Sequence, residues 1–428
     1  MKLHWQILIA ILLAVGVGAF VEPHHGIGSL TFIGLFDFLG TLFLNALKMI
    51  VVPLIASSII CGVATAGAGE NLGRMGAKTI GLYLISTLFA ILMGLFLVNL
   101  TQPGIIDGKP AGDQLNLTSP DQLQAGLSKI EGRGAGDVAD IFLRMVPTNV
   151  VEAAATDDML GLIVFALLFG IFMLRISPQH AETLKSFWQG VFEVMMAITL
   201  FVMRFAPLGV FGLVAKTITT TGFAAFAPLA VFFFTVAAAL LLHTFVTLAL
   251  MLRLLAGVNP FLHYRAMVPA MLTAFSTASS SATLPVTIKC LEKNVGVSNR
   301  TSSFVLPLGA TINMDGTALY ECAAALFIAQ AYGLDLSFAQ QFLVVVLALL
   351  TSIGVAGIPA ASLVAISVIL TAIGLPLEGI GLLLVTDRIL DMMRTAVNVF
   401  SDTCCAVIVA STEGETGLYG EARSVNGA

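Results

Sequence analysis

The chain alternates between long apolar blocks and short polar breaks, on the length scale of a membrane. Apolar runs such as 7–20 and 229–252 can cross the hydrocarbon core as helices, and they lack the alternating pattern of membrane β-strands. Several blocks exceed the length of a perpendicular span, so Pro53, Pro147 and Pro207 are predicted break points. The first part of the chain is therefore predicted to form helical spans near 4–22, 32–66, 76–100, 138–175, 182–217 and 223–255.

After residue 258, small and hydroxylated residues interrupt the apolar pattern at membrane depth. The main interruptions, 276–285 and 352–362, each lie midway in a segment too polar or too rich in Gly and Pro for one helix. We predict two re-entrant helical hairpins, because non-helical backbone at this depth is tolerated where it lines a cavity. Each hairpin precedes a long apolar helix with one polar interruption, at 313–317 and at 387–402, so the sequence predicts a twofold repeat of a hairpin and a broken helix. Paired interrupted segments of this kind are typical of transporters built from inverted repeats.

The last apolar helix carries five polar side chains every three or four residues: Asp387, Asp391, Arg394, Asn398 and Asp402. This spacing places them on one stripe of the helix. A charge at bilayer depth costs roughly 2.5 to 3.5 kcal/mol on the insertion scale, so the stripe is expected to face protein, water or ligand. We interpret it as the wall of a polar binding site.

The residue types in this stripe limit which classes of ligand could bind there. Arg394 offers a planar fork suited to a carboxylate, and Asp391 offers the opposite charge to an ammonium group. A plain dicarboxylate leaves Asp391 without a partner, so an acidic amino acid is favoured over succinate or malate. Asp315 and Asp402, with Asn313 and Asn398, form a set of hard oxygen ligands for a small cation, and sodium is favoured over a proton. The alternative is that Arg394 pairs internally with Asp391 or Asp387.

Composition agrees with a polytopic helical membrane protein: 58% of residues are hydrophobic and 11% are charged. The five cysteines show no metal-ligand spacing and are interpreted as packing residues. The six histidines and the serines at 279–281 form no arrangement of nucleophile and base, so an enzyme is not expected. The sequence has no basic patch of the kind that binds nucleic acid, so a nucleic-acid partner is not expected. An ion channel is the alternative from a different class, distinguished by currents without saturable, stereospecific uptake.

Four motifs resemble one known family, the dicarboxylate/amino acid:cation symporters or glutamate transporters, along nearly the full chain. They are SSSATLP at 279–285, NMDGT at 313–317, AGIP at 356–359 and DMMRTAVNV at 391–399. The resemblance implies an all-α fold of eight transmembrane helices and two re-entrant hairpins with inverted repeats. It also implies a homotrimer in the inner (plasma) membrane, working by an elevator mechanism in which the second hairpin acts as a gate.

The resemblance assigns the parts of the chain to a scaffold and a transport domain. The scaffold comprises 1–75 (spans 1 and 2) and 138–220 (spans 4 and 5). The transport domain comprises 76–101 (span 3) and 221–411, which holds span 6, both hairpins and the last two helices. Residues 102–137 form an extracellular loop. A polar tail, 412–428, is predicted to be disordered.

The resemblance also assigns roles to individual residues. Arg394 would bind the substrate side-chain carboxylate and Asp391 the amino group, while the main carboxylate would meet Asn398, Thr317 and the backbone around Ser279 and Ser280. Thr395, Ile358 and Ser362 would line the same pocket. One sodium site would use Asp402 with carbonyls of Gly309, Asn313 and Asn398. A second would use backbone oxygens of Thr311, Met314 and Ser352, and a third would use Tyr83, Ser86, Thr87, Asn313 and Asp315.

Some features depart from the family pattern or stay open. Relatives often carry a further arginine near the position of Ala278 or of Met392, and both are absent here. Potassium countertransport therefore stays open, as do the sodium stoichiometry and the preference between L-aspartate and L-glutamate. Arg394 and Asp391 disfavour the neutral amino-acid and C4-dicarboxylate transporters of the same fold, and Asp402 disfavours a proton-coupled one. These three remain the alternatives within the fold.

Overall fold

The computed structural model describes the chain except residues 1–2, 23–24, 28–29, 67–72, 113–142, 144, 156–158, 223–225, 355–360, 376–378 and 421–428. Within this part the protein is mostly helical, as predicted. Two short antiparallel strand pairs accompany the helices: β1 (Gly26–Ile27) with β2 (Leu30–Thr31), and β3 (Ile105–Ile106) with β4 (Lys109–Pro110).

Nine helices lie in the described part of the first half of the chain. They are α1 (Leu3–Phe20), α2 (Phe32–Ala66), α3 (Gly73–Thr101), α4 (Val150–Ala155), α5 (Met159–Met173), α6 (Pro178–Met203), α7 (Ala206–Thr221), α8 (Phe226–Leu242) and α9 (Ala249–Leu255). A π-helical turn, His243–Leu248, joins α8 to α9. The predicted break at Pro207 is confirmed, since α6 and α7 meet at a bend of 52°. At Pro53 the prediction was wrong, because α2 continues through this proline.

Seven helices lie among the described residues of the second half. They are α10 (Pro260–Thr277), α11 (Ser280–Cys290), α12 (Asn299–Ile312), α13 (Asp315–Ala331), α14 (Phe338–Gly354), α15 (Ala361–Ala372) and α16 (Ile380–Thr412). The first hairpin comprises α10, α11 and the π-helical turn Leu291–Val295, and its two arms pack together. Its tip lies where it was predicted. Ala278 ends α10 in the left-handed conformation at φ 48°, and the Ser279 side chain caps α11 by accepting from the amide of Ala282.

The two long helices after the hairpins differ from each other. Asn313 and Met314 separate α12 from α13 in extended conformations, as the polar motif predicted. The stripe 387–402 instead lies within one continuous helix, α16, so the expectation of a second broken helix was wrong. The physical reason is that the polar residues of the stripe keep helical spacing and no Gly or Pro falls among them. The second hairpin comprises α14 and α15, and its tip lies outside the described residues.

Two sets of helices pack mainly within themselves. In one set α1 lies along α7, and α2 packs against α5, α6 and α7. In the other set α3 packs against α8 and α13, while α10, α12 and α13 pack on α16. Three described helices are long and apolar enough to span a membrane, Arg74–Thr101, Phe226–Leu255 and Thr386–Thr412, and the bent pair α6–α7 adds a fourth. The protein is accordingly a multi-pass membrane protein.

The chain beyond α16 corrects another expectation. Residues 412–428 were predicted to be disordered, yet the described part, through Gly420, folds back onto the helices. Leu418 and Tyr419 are buried, and Glu413 pairs with Arg74 at 2.9 Å and Lys78 at 2.6 Å. A polar composition did not exclude packing here, because Tyr419 finds a hydrogen-bond partner inside the protein.

Candidate functional site

The five polar residues of α16 face the protein interior. Each is less than 9% exposed, and Arg394, at 1%, is among the largest fully buried side chains. The stripe therefore lies on a buried face of α16, as its spacing predicted. Because a buried charge without partners is costly, each member of the stripe must be satisfied by neighbouring residues or by a ligand.

Arg394 is only partly satisfied by the described residues. Its Nη2 donates to Oδ1 of Asp391 at 2.9 Å and to Oδ1 of Asp387 at 3.0 Å, and its guanidinium carbon lies 3.8 Å from the ring centre of Tyr320. The internal pairing considered from the sequence thus occurs, with both aspartates at once. Nε and Nη1 of Arg394 are buried and have no hydrogen-bond partner among the described residues. The guanidinium therefore retains donors for an anionic ligand.

The broken helix and the stripe meet beside Arg394. The amide of Asn398 donates to the Thr317 hydroxyl at 3.0 Å, and its Oδ1 accepts from the backbone N–H of Gly316 at 2.8 Å. The Thr395 hydroxyl donates to the carbonyl of Asp391 at 2.8 Å. The two bonds of Asn398 hold the start of α13 against α16, so the polar groups of both helices form one surface.

The two hairpins supply the other predicted substrate residues. Ser280 is buried at the start of α11, on the hairpin whose first arm packs along α16. Ser362 is buried in α15, and its hydroxyl has no partner among the described residues. Ile358 lies outside the described residues.

A second polar cluster surrounds Asp315 at the start of α13. Oδ1 of Asp315 accepts from the hydroxyls of Thr87 at 2.7 Å and Ser86 at 3.2 Å, both on α3. Oδ2 accepts from the Ser401 hydroxyl at 2.6 Å and lies 3.0 Å from Nε2 of His243. The structure thus brings together the α3 hydroxyls and Asp315 as the third predicted cation site requires.

Asp402 lies next to this cluster. Its Oδ1 accepts from the Asn313 amide at 2.8 Å, and Asn313 Oδ1 accepts from Ser86 at 3.3 Å. The Tyr83 hydroxyl donates to the carbonyl of Val305 at 2.7 Å, and a Cβ added to Gly309 would meet both Asp402 and Tyr83. Asn313, in the unwound segment, therefore links the Asp402 and Asp315 groups.

The charges of the two clusters differ in balance. Near Arg394, two arginines face two aspartates, since Arg388 also lies 3.4 Å from Asp391. Asp315 and Asp402 are buried and have no arginine or lysine partner within the described part of the chain. Two buried carboxylates whose only basic neighbour among the described residues is His243, 3.0 Å from Asp315, fit small cations held by oxygen ligands.

The second predicted sodium site is less complete. Ser352 lies in the last turn of α14 and Thr311 in the last turn of α12, and these two helices are neighbours. The hydroxyls of both residues donate to carbonyls of their own helices, at 2.8 Å for Ser352 and 2.9 Å for Thr311. Met314 is buried in the unwound segment. This arrangement leaves the second site as a prediction.

Four buried residues near these clusters were not singled out from the sequence. Ser401 falls on the same face of α16 as Asn398 and Arg394, so its spacing could have revealed it. Glu321 could have been found as a lone acid in an apolar helix, and it accepts from the Thr351 hydroxyl at 2.8 Å. His243 was likewise the only ionisable residue in the apolar run 229–252. Tyr320 had no sequence signal, because only packing brings its ring to Arg394.

Fold and site together define a polytopic helical membrane protein whose interior holds two adjoining clusters of buried charged and polar side chains. The chain belongs to the sodium:dicarboxylate symporter family, whose model matches residues 3–412. It is 37% identical to the proton/glutamate-aspartate symporter of Escherichia coli, over 96% of this chain and 93% of that protein. It is 36% identical to the proton/sodium-glutamate symport protein of Bacillus caldotenax, over 96% and 95%. It is 33% identical to human excitatory amino acid transporter 3, over 94% and 84%.

Proposed function

We propose that the protein is a secondary active symporter that carries an acidic amino acid, L-aspartate or L-glutamate, inward with sodium ions. The observation that carries this proposal is Arg394: it is fully buried, and two of its nitrogens have no hydrogen-bond partner among the described residues. A guanidinium in this state is suited to bind a carboxylate through two parallel hydrogen bonds. The names of the relatives from Escherichia coli and Bacillus caldotenax support the same class of substrate.

The neighbours of Arg394 favour an amino acid over a dicarboxylate. Arg394 forms ion pairs with both Asp387 and Asp391. A substrate carboxylate that binds Arg394 therefore weakens the ion pair between Arg394 and Asp391. An ammonium group on the substrate then compensates Asp391, whereas succinate leaves it with Arg388 alone. Asn398 and Thr317 supply polar groups for the main carboxylate, next to the first hairpin.

The polar residues around Asp315 and Asp402, among them Tyr83, form a group that we call the cation cluster. This cluster supports sodium as the coupling ion. The donor set consists of carboxylates, hydroxyls, an amide and backbone carbonyls, which are hard oxygen ligands. Among the described residues Asp402 has no basic side chain beside it and Asp315 has only His243 at 3.0 Å, so the two carboxylates need a further positive charge for neutrality. Sodium entering with the substrate would supply that charge, so substrate and sodium would stabilise each other's binding.

A proton is the second candidate coupling ion, and Glu321 favours it. Glu321 is fully buried one turn beyond Thr317, and its Oε1 has no hydrogen-bond partner among the described residues. A buried acid without a cationic partner is stabilised by protonation. The Escherichia coli and Bacillus caldotenax relatives have names that include the proton.

The packing of the helices supports the architecture expected from the resemblance. We assign the set around α1, α2, α5, α6 and α7 to the scaffold, and the set around α3, α8, α10, α13 and α16 to a transport domain that moves as an elevator. The described helices are compatible with eight spans and two hairpins. The homotrimer, the inner membrane and the gating role of the second hairpin belong to the same proposal.

Uptake into proteoliposomes tests substrate and ion together. Labelled L-aspartate is supplied with an inward sodium, potassium or proton gradient and competed with L-glutamate, succinate and serine. Sodium-driven uptake blocked by L-glutamate is expected. Uptake competed by succinate or serine instead would refute the substrate assignment, and uptake driven only by protons would refute the assignment of sodium.

Two substitutions, each with a matched control, test the residues. Arg394→Cys should weaken apparent L-aspartate affinity by at least about 100-fold, because it leaves buried aspartates uncompensated. Arg253→Cys, at an exposed arginine, should change little. Glu321→Gln should remove the pH dependence of uptake if Glu321 carries a proton, whereas Glu193→Gln, at an exposed glutamate, should retain it. Wild-type L-aspartate affinity in Arg394→Cys would exclude this site.

A further inference from the structure

The segment after α16 follows a defined path back onto the helices. The helix ends in a Schellman motif, in which the amide of Gly414 donates to the carbonyl of Ser411 at 3.2 Å and the amide of Glu415 to that of Ala410 at 3.0 Å. Gly414 and Gly417 have φ angles of +85° and +84°, which glycine adopts without strain. These two glycines reverse the chain and direct residues 415–420 toward the base of the first hairpin.

Glu415 fastens this segment to the start of α12. Its carboxylate accepts from the Ser298 amide at 2.8 Å, from the Ser298 hydroxyl at 2.6 Å and from the Thr301 hydroxyl. Burial alone would raise the pKa of Glu415, but hydrogen bonds from Ser298 and Thr301 lower it below its ordinary value. An acid at a helix N-terminus is also stabilised by the helix dipole. Glu415 is therefore held ionised at the junction of the first hairpin and α12.

Tyr419 fastens the segment to the hairpin itself. Its amide donates to the carbonyl of Val295 at 2.7 Å, and its hydroxyl lies 2.6 Å from Nδ1 of His263. Tyr419 is 4% exposed and has a φ of 59°, a conformation that a bulky side chain rarely adopts. Such an outlier persists only where surrounding contacts hold it. The buried ring and the two hydrogen bonds are those contacts.

His263 connects Tyr419 to α16 through a second hydrogen bond. The Thr403 hydroxyl donates its proton to the carbonyl of Phe400 at 2.7 Å, so it accepts from Nε2 of His263 at 3.0 Å. Nδ1 of a neutral His263 is then an acceptor, and Tyr419 is its donor. Tyr264 stacks on Phe400 with ring centres 4.8 Å apart. The base of the hairpin thus rests on α16 at Phe400 and Thr403, beside Asp402.

We propose that residues 413–420 form a clasp that fixes the base of the first hairpin on α16 and thereby positions its tip against the substrate and cation sites. Glu415 and Tyr419 are positioning residues in this device. Glu413, paired with Arg74, extends the clasp to α3, so it joins helices of one packing set only. The expected effect on transport rests on the proposed function, whereas the mechanical role of the clasp does not.

Hydrogen exchange tests the mechanical role without any substrate. Tyr419→Phe keeps the ring and removes the bond to His263, and Glu415→Gln removes the ionised acceptor. Either change, and more so both, should raise amide exchange in residues 260–300 by about tenfold, with little change in α14 and α15. Thr416→Ala, at an exposed residue of the same segment, is the control. Unchanged exchange in 260–300, or an equal rise across the whole protein, would overturn the proposal.

Binding of L-aspartate in the same variants tests the positioning role. A dissociation constant raised several-fold in Tyr419→Phe and Glu415→Gln, but not in Thr416→Ala, is expected. Wild-type affinity together with faster exchange would overturn the positioning role. If the wild-type protein itself fails to bind L-aspartate, the proposed substrate is wrong, while the exchange experiment still decides whether the clasp exists.

Discussion

Gly309 offers a sharp test of the cation cluster, because a single methyl group can be placed between two of its members. The residue lies in α12, and a Cβ added there would lie 2.6 Å from Cγ of Asp402 and 2.8 Å from the hydroxyl oxygen of Tyr83. Real Cβ atoms essentially never approach other atoms this closely, so the Asp402 carboxylate or the Tyr83 ring must move. Gly309→Ala is therefore expected to distort the site that we assign to sodium.

The size of the effect follows from overpacking. Extra methyl groups in a packed interior cost about 1 to 3 kcal/mol. If that cost falls on the ion-bound geometry, the half-saturating sodium concentration should rise by roughly 5- to 150-fold, since 1.4 kcal/mol corresponds to a factor of ten. Thermal stability should change less, because replacing Gly by Ala within a helix gains up to about 1 kcal/mol.

The assay is L-aspartate uptake or binding as a function of sodium concentration, with Gly81→Ala as the matched control. Gly81 lies in α3, and a Cβ added there meets nothing within 4 Å. The control should keep the sodium dependence of the wild type and should be at least as stable. A half-saturating sodium concentration within twofold of wild type in Gly309→Ala would refute the reasoning.

Four substitutions at three further positions test other contacts. Gly316→Ala places a Cβ 2.8 Å from the carbonyl oxygen of Arg394, so L-aspartate affinity should fall by about tenfold in a binding assay, whereas unchanged affinity would contradict it. Ala278 has a φ of 48°, which glycine adopts without strain and a β-branched residue does not. Ala278→Gly should therefore raise the free energy of unfolding by up to about 1 kcal/mol, and Ala278→Val should lower it. Thermal unfolding of both variants measures the change. Hydrogen bonds from Arg74 and a nearby lysine lower the pKa of Glu413 from 4.5 to about 2, so the ionised group stabilises the fold above pH 4.5 and loses this effect toward pH 2. The difference in melting temperature between wild type and Glu413→Gln should accordingly shrink over that range, and a difference that widens in acid would count against the pairing.

The membrane-spanning helices, the first hairpin and the residues of the polar stripe could be predicted from the sequence. These features depend on local patterns: apolar length, the Ser-rich interruption, and polar residues at helical spacing. The unwinding at Asn313 and Met314 followed from the same reasoning. The continuity of α16 did not, because a polar interruption was interpreted as a break although no residue there disrupts a helix.

Tertiary structure decided which groups meet. The pairing of Arg394 with Asp387 and Asp391 lies within α16, but its contact with Tyr320 depends on how α16 packs against α13. The same holds for His243, which reaches Asp315 from a distant helix. The fold of residues 413–420 was beyond local patterns too, since it depends on partners more than a hundred positions away, such as Ser298 and His263. Local spacing fixes which side chains share a face, but only packing fixes which face they meet.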